Sequence, residues 1–404
     1  MAVAALRYTS ASTTILRSRL ENNQNTLSST DYWHIITLWG SEIICRNFDA
    51  AIIHGGKLAQ LMVYQAEQKC LDLTYLRYVI YNDVQLCTML MERSFFDYAR
   101  WVPEQFELLR ASAENLMESE GDGATSLLDL SIEGDFLINT FRERRAHHKE
   151  FLWWQDRSFE GMNPFLHGWL GICQHICHGN LIRHALDCMD EVPVSSGESV
   201  GFLLAQAYLS LAALYVSRSV GGQLIIGNTD IYDCRRIILD KLYTALYLAV
   251  SHESKADYVK YGNARLWAAY VGAQATHTMP DMAKHYQFFA YEFARARQSC
   301  RISTWNHLSR VLDGFLNTFL LWLGFDVNVR RRAAWSWTAI QAATENGFIT
   351  IFELLLTYGT DINEQSAVER GGTALQTGAE QGHIDTVELL LNRGVNVNAS
   401  PAKQ

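Results

Sequence analysis

The chain has 404 residues, 49% of them hydrophobic and 12% aromatic, which is enough to bury two or three separate cores. Its formal net charge of −9 argues against unaided contact with nucleic acid, whose phosphates are met by clustered Lys and Arg. Only five prolines, at 103, 164, 193, 280 and 401, interrupt the sequence. Interior proline removes a hydrogen bond and clashes with the preceding turn, so long stretches stay open to helix and an all-α fold is expected.

In chain order, residues 1–30 read as a disordered leader: Arg7, Arg17 and Arg19 with Ser and Thr, no acid in the first twenty, and no compact apolar core of a signal peptide. Residues 31–302 read as a helical domain. Ile35, Leu38, Trp39 and Ile43, then Leu58, Leu61 and Met62, recur at helical spacing. A small-residue, acidic interval around 116–135 lacks any apolar run and predicts a loop. Longer aromatic helices are expected beyond Phe136, through Phe151–Trp154, Gly201–Val216, Ile237–Val250 and Ala264–Ala273. Eight scattered cysteines without disulfide-dense spacing predict free thiols in a reducing compartment. No run approaches the roughly 18 consecutive apolar residues of a membrane span, and a soluble intracellular protein is expected.

The C-terminal part repeats itself. Thr338-Ala339-Ile340-Gln341 returns as Thr373-Ala374-Leu375-Gln376, Gly347 as Gly382, Leu354–Leu356 as Leu389–Leu391, Gly359 as Gly394, and Asn363 as Asn398, always 35 residues on. One further step back lands on Gly324 within Leu320–Asn328, which predicts a degenerate copy and junction over 303–332 ahead of good repeats over 333–404. In each copy the threonine hydroxyl caps a short helix. A glycine ends that helix, a second helix carries the leucines inward (Ile351–Tyr358, Thr386–Arg393), and another glycine ends it in turn. An Asp361-Ile362-Asn363 or Asn396-Val397-Asn398 exit then closes a turn.

This pattern resembles the ankyrin repeat, whose period is about 33 residues. It departs from the family in the Thr-Pro-Leu-His start, which here reads Thr-Ala-Ile-Gln and Thr-Ala-Leu-Gln. The resemblance implies a short helical solenoid and a protein partner. Its concave face would carry Phe348, Glu369, Arg370, Gln376 and Glu380. Since a few repeats cannot bury their leucines alone, the array is expected to lean on the helical domain through Trp305, Leu308, Leu312, Phe315 and Phe319.

Upstream, Trp33–Glu42, Asn47, His54, Leu61-Met62-Val63, Leu73, Leu76, Ile80 and Asp83 follow one another in an order similar to the helical regulatory region of fungal zinc-cluster transcription factors. Ala205–Leu209 and Leu266–Gly272 are similar to two later helices of that region. Paired glycines that the family often places after Leu-Met-Val are replaced by Glu67-Gln68. The family's DNA-binding segment of six cysteines is missing, since the first cysteine of this chain is Cys45. The resemblance implies a regulatory module that reaches promoters through another protein.

Candidate chemical centres are weaker. Cys173, Cys177, His184 and Cys188 share one face of a continuous helix, but at about 1.5 Å rise per residue the outer pair lies about 22 Å apart. Tetrahedral zinc needs every ligand within about 2.0–2.3 Å, so only a bend at Gly179-Asn180 would bring these residues together. Asp230 and Asp233 have the spacing of a magnesium-binding pair, yet Leu86 and Leu90 stand where a second motif after Asn82-Asp83 would need oxygen ligands. No phosphate loop, nucleophile elbow or zinc-protease helix occurs in the sequence. Arg142–Arg145 with His147 and His148, and Arg330–Arg332, are basic clusters that suit solvated helix ends, import signals or phosphate contacts.

The expectation is therefore a non-enzymatic ankyrin-repeat transcriptional coregulator of the nucleus, without cofactor or metal. It would bind a separate DNA-binding factor, with a fungal specialised-metabolite gene cluster as the conceivable target. A cytosolic scaffold is the competing reading within the binding class, and a helical-bundle enzyme the competitor outside it.

Overall fold

The computed structural model describes residues 29–117, 127–156, 164–195, 198–221, 231–252, 254–277, 279–316, 344, 362–363 and 373–398. Every regular element among them is helical. The α-helices run in chain order α1 (Ser29–Ile44), α2 (Phe48–Glu67), α3 (Leu73–Leu90), α4 (Trp101–Gln105), α5 (Glu107–Met117), α6 (Asp135–Asp156), α7 (Pro164–Glu191), α8 (Glu198–Gly221), α9 (Ile231–Ser251), α10 (Lys255–Lys260), α11 (Gly262–Thr276), α12 (Ala283–Ser299), α13 (Trp305–Asp313), α14 (Ala374–Glu380) and α15 (Ile384–Asn392). The chain gathers into two compact units, each assembled from separated segments: 1–123, 163–190 and 221–238 in the first, and 124–162, 191–220 and 239–404 in the second.

In the first unit α1, α2 and α3 pack together. The buried stripe of α1 is Tyr32, Ile36, Trp39 and Ile43, spaced four, three and four residues apart, as one face of a helix requires. Trp39 is fully buried, and α2 comes close enough to it that a Cβ on Gly55 would lie 2.6 Å from its ring. Helix α7 meets the loop after α3. Its Asn180 side chain donates to the Tyr98 carbonyl at 2.9 Å, while Arg93 bonds Asp187 at 2.7 Å and Asp190 at 2.8 Å. The helix runs unbroken through Gly179 and Asn180, so the bend that would gather Cys173, Cys177, His184 and Cys188 does not occur.

Several helices end without the expected glycine. Arg46, Lys69, Met91 and Arg301 take φ of 59°, 56°, 48° and 53°, the left-handed region. After α2, the Cys70 N–H donates to the Gln65 carbonyl at 3.0 Å and the Lys69 N–H to the Ala66 carbonyl at 3.0 Å. This paired closure satisfies carbonyls that the helix leaves open. It lies just past Glu67-Gln68, where the sequence lacks the glycines of the resembled family.

In the second unit α8 is the central helix. Val200–Arg218 is long and apolar enough by composition to cross a membrane, but 89% of that window is buried in the fold, which marks it as a core helix. Helices α11 and α12 lie close along their length, and a Cβ on Gly272 would sit 2.5 Å from the Phe289 ring. The aromatic centre is formed by Phe141 of α6, Trp267 of α11 and Phe315 just past α13. Trp267 and Phe315 stack at 5.1 Å between centroids, and Phe141 meets Trp267 edge-on at 5.6 Å. Leu308 and Leu312 are buried with Phe315, so the segment leading into the repeats is part of this core. Phe319 lies outside the described residues, as does the side chain of Trp305.

Arg142–Arg145 falls inside α6 rather than at a helix end. The leader, the 118–126 interval, Asp230 and Arg330–Arg332 lie outside the described residues.

Candidate protein-interaction surface

The best-described repeat begins at Thr373. Its hydroxyl accepts the Gln376 N–H at 3.3 Å, and the Gln376 side-chain oxygen accepts the Thr373 N–H at 2.9 Å, a reciprocal capping box that opens α14. The helix closes at Gly382, φ +75°. There the His383 N–H donates to the Gly378 carbonyl at 3.0 Å and the Gly382 N–H to the Ala379 carbonyl at 3.2 Å. The same closure ends α15 at Gly394, φ +77°, with Val395 N–H to the Leu390 carbonyl at 3.2 Å and Gly394 N–H to the Leu391 carbonyl at 3.1 Å. Val395 and Leu390 are both buried, as the hydrophobic pair that accompanies this motif.

Helix α15 starts at Ile384, two residues before the Thr386 anticipated from the sequence, because the chain reverses directly at Gly382-His383. Of the leucine triplet, Leu390 is fully buried, while Leu391 is 49% exposed. Successive residues on a helix are rotated by about 100°, so three consecutive leucines cannot all face one core. Neighbouring copies are stitched together. Thr344 is fully buried, and a Cβ on Gly378 would lie 2.8 Å from its methyl group. The Asn363 side-chain oxygen accepts the Asn396 N–H at 2.6 Å, 33 residues on, while Asn396 turns its own oxygen to the Asn398 N–H at 3.0 Å. Asn363 and Asn398 are thus equivalent in sequence, but the bond between copies goes to Asn396.

A family model described as ankyrin repeats (3 copies) matches residues 311–400. The C-terminal region is an ankyrin-repeat array. The match begins at Val311, in α13, so the array starts within the segment that feeds Phe315 into the helical core. Comparison with curated proteins and with solved structures gives no match. Ankyrin repeats imply protein–protein interaction. Of the residues expected on their binding face, Gln376 and Glu380 lie one turn apart on α14. Glu380 is exposed, and Gln376 is half-buried with its side-chain oxygen engaged in the capping box. Phe348, Glu369 and Arg370 lie outside the described residues.

The helical landmarks upstream have local structural jobs. Glu42 and His54, from α1 and α2, are joined by a 2.7 Å hydrogen bond. Trp39, Met62, Leu76 and Ile80 are fully buried. Asp83 is buried completely on α3; one of its oxygens accepts the Phe95 N–H at 3.2 Å and faces the Cys87 thiol at 3.6 Å. Burial pushes this carboxyl up to about 6, against the opposing effect of the Phe95 amide. Burial likewise raises the Cys87 thiol and the Tyr98 hydroxyl, which donates to the Ile80 carbonyl at 3.0 Å. Nothing in the spacing of Asn82-Asp83 announced a buried acid; the signal available was a carboxylate in the apolar run Val79–Leu86.

Among the cysteines of α7, Cys188 lies 3.8 Å from the His184 ring, one turn away. Among the described residues no three His, Cys, Asp or Glu side chains converge on a common point.

Proposed function

We propose that the chain is a non-enzymatic transcriptional coregulator of the nucleus, which uses its ankyrin repeats to hold a separate DNA-binding factor. The observation that carries this reading is the way the array begins. Its first matched residues lie on α13 and lead into Phe315, stacked on Trp267, so a partner gripped by the repeats is coupled to a large helical body. A net charge of −9 fits a protein that reaches promoters through another. The order of residues from Trp33 to Asp83, similar to that of a fungal transcription-factor regulatory domain, points the same way. Control of a specialised-metabolite gene set follows only by analogy with regulators of that type.

The test is affinity purification of the tagged full-length chain from its native cells, alongside a version truncated after Arg332, which retains Phe315. A DNA-binding transcription factor recovered with the full chain and lost on truncation supports the reading. Recovery of cytosolic enzymes or ubiquitin machinery alone overturns it in favour of a scaffold.

A further inference from the structure

The entry to the ankyrin array is gripped by a distant piece of the chain, the strap Leu127–Gly134, which lies with it in the second unit. The Asp129 N–H donates to the Gly314 carbonyl at 2.9 Å, and Gly314 falls inside the span matched to ankyrin repeats. The approach is close: a Cβ on Gly314 would lie 2.9 Å from the Asp129 Cβ and 3.3 Å from its nitrogen. Phe315 and Leu316 follow at once and are both buried, so this bond holds the backbone that seats Phe315 on Trp267.

The other bonds of the strap run to the helical body. One Asp129 carboxylate oxygen accepts both the Ser131 N–H at 2.9 Å and its hydroxyl at 2.6 Å, and the other accepts the Asn263 side chain of α11 at 2.9 Å. At the far end the Gln206 side chain of α8 donates to the Glu133 carbonyl at 2.8 Å, while the Glu133 carboxylate takes the Tyr261 hydroxyl at 3.0 Å and the Lys260 ammonium at 2.9 Å. Arg145 of α6 donates to the Leu127 carbonyl at 3.3 Å. The two sets of bonds meet at Asp129, whose amide holds the array entry and whose carboxylate holds the strap's own turn and α11. Helix α13, which delivers Gly314, has nine residues. A helix that short has little stability of its own, so its place is set by its packing and by this bond.

We propose that the strap is a latch on the ankyrin array. Engaged, Asp129 fixes Gly314 and keeps Phe315 in the aromatic centre. Released, the strap and α13 open together as one cooperative unit, Phe315 leaves Trp267, and the array is freed while α8 and α12 stay folded. The latch goes beyond the coregulator reading, since it works in the same way whatever the repeats bind.

The test is hydrogen exchange followed by mass spectrometry on the full-length chain, wild type and three variants. Asp129→Ala removes the carboxylate. Gly314→Ala leaves every bonding group in place and wedges the two backbones apart from the other side. Both should speed exchange by about tenfold or more over residues 128–132 and 308–316, with α8, α12 and α1 to α3 at wild-type rates. Lys260→Met breaks the ion pair at the far end of the strap and should leave 308–316 unchanged. Wild-type exchange over 308–316 in either Asp129→Ala or Gly314→Ala, acceleration that spreads equally through α8 and α12, or an equal response to Lys260→Met would each overturn the latch. None of these outcomes depends on which proteins the repeats recover, so failure here is distinct from failure of the coregulator reading.

Discussion

Replacing Asp83 with Asn should make the protein's stability less sensitive to pH, in a direction set by the burial of this carboxyl. Its ordinary value of 3.8 rises to about 6 in the fold, chiefly through desolvation. The folded state therefore binds the proton more tightly than the unfolded state. The resulting stabilisation is fully present below about pH 3.8 and is lost as pH rises through about 6. Over the whole range this amounts to about 3 kcal/mol, at roughly 1.36 kcal/mol per pH unit. Between about pH 5 and about pH 8 the same linkage gives a loss of about 1 kcal/mol. Asn keeps an oxygen for the Phe95 N–H and carries no charge at either pH. Equilibrium urea unfolding followed by tryptophan fluorescence, on wild type and Asp83→Asn at both pH values, measures the gap directly. Wild type should lose about 1 kcal/mol relative to the variant on going to the higher pH. A gap that stays constant, or moves the other way, would refute the claim that this carboxyl is buried and displaced upward.

Lys69→Gly should stabilise the first unit by about 1 kcal/mol, since a left-handed φ strains any residue with a Cβ, and a raised unfolding midpoint checks it. Thr373→Ala should remove both bonds of the capping box at a cost of about 1 kcal/mol, seen as faster hydrogen exchange across Ala374–Gln381 with little change in α1 to α3. Phe315→Ala should cost about 3–5 kcal/mol through the cavity left against Trp267 and Phe141. Its effect on thermal unfolding should appear in the helical core as well as the repeats, and destabilisation confined to the repeats would contradict the shared packing.

The helices were legible because their signals are local. Sparse proline and apolar positions at helical spacing mark α1, α2, α8 and α11 before any tertiary contact is considered. The repeats were legible for a different reason: a solenoid writes the same contacts twice, so Gly382 and Gly394 announce themselves through Gly347 and Gly359. What escaped the sequence depends on context. Arg46, Lys69, Met91 and Arg301 end helices that carry no glycine signal, because the paired backbone bonds at those ends outweigh the strain. Gln376 reads as a surface residue and serves partly as a cap. The partner of Asn363 is Asn396 rather than its sequence equivalent Asn398, because the finger folds upon itself. The strap of Leu127–Gly134 reads as a plain acidic loop, since its anchors, Gln206, Tyr261, Asn263 and Gly314, come from far along the chain.

Chromatin immunoprecipitation of the tagged chain, full-length and truncated after Arg332, asks whether the repeats bring this protein to promoters. Promoter occupancy by the full-length protein is expected, and it should disappear with the repeats. Equal occupancy by both forms, or none by the full-length chain, would contradict it.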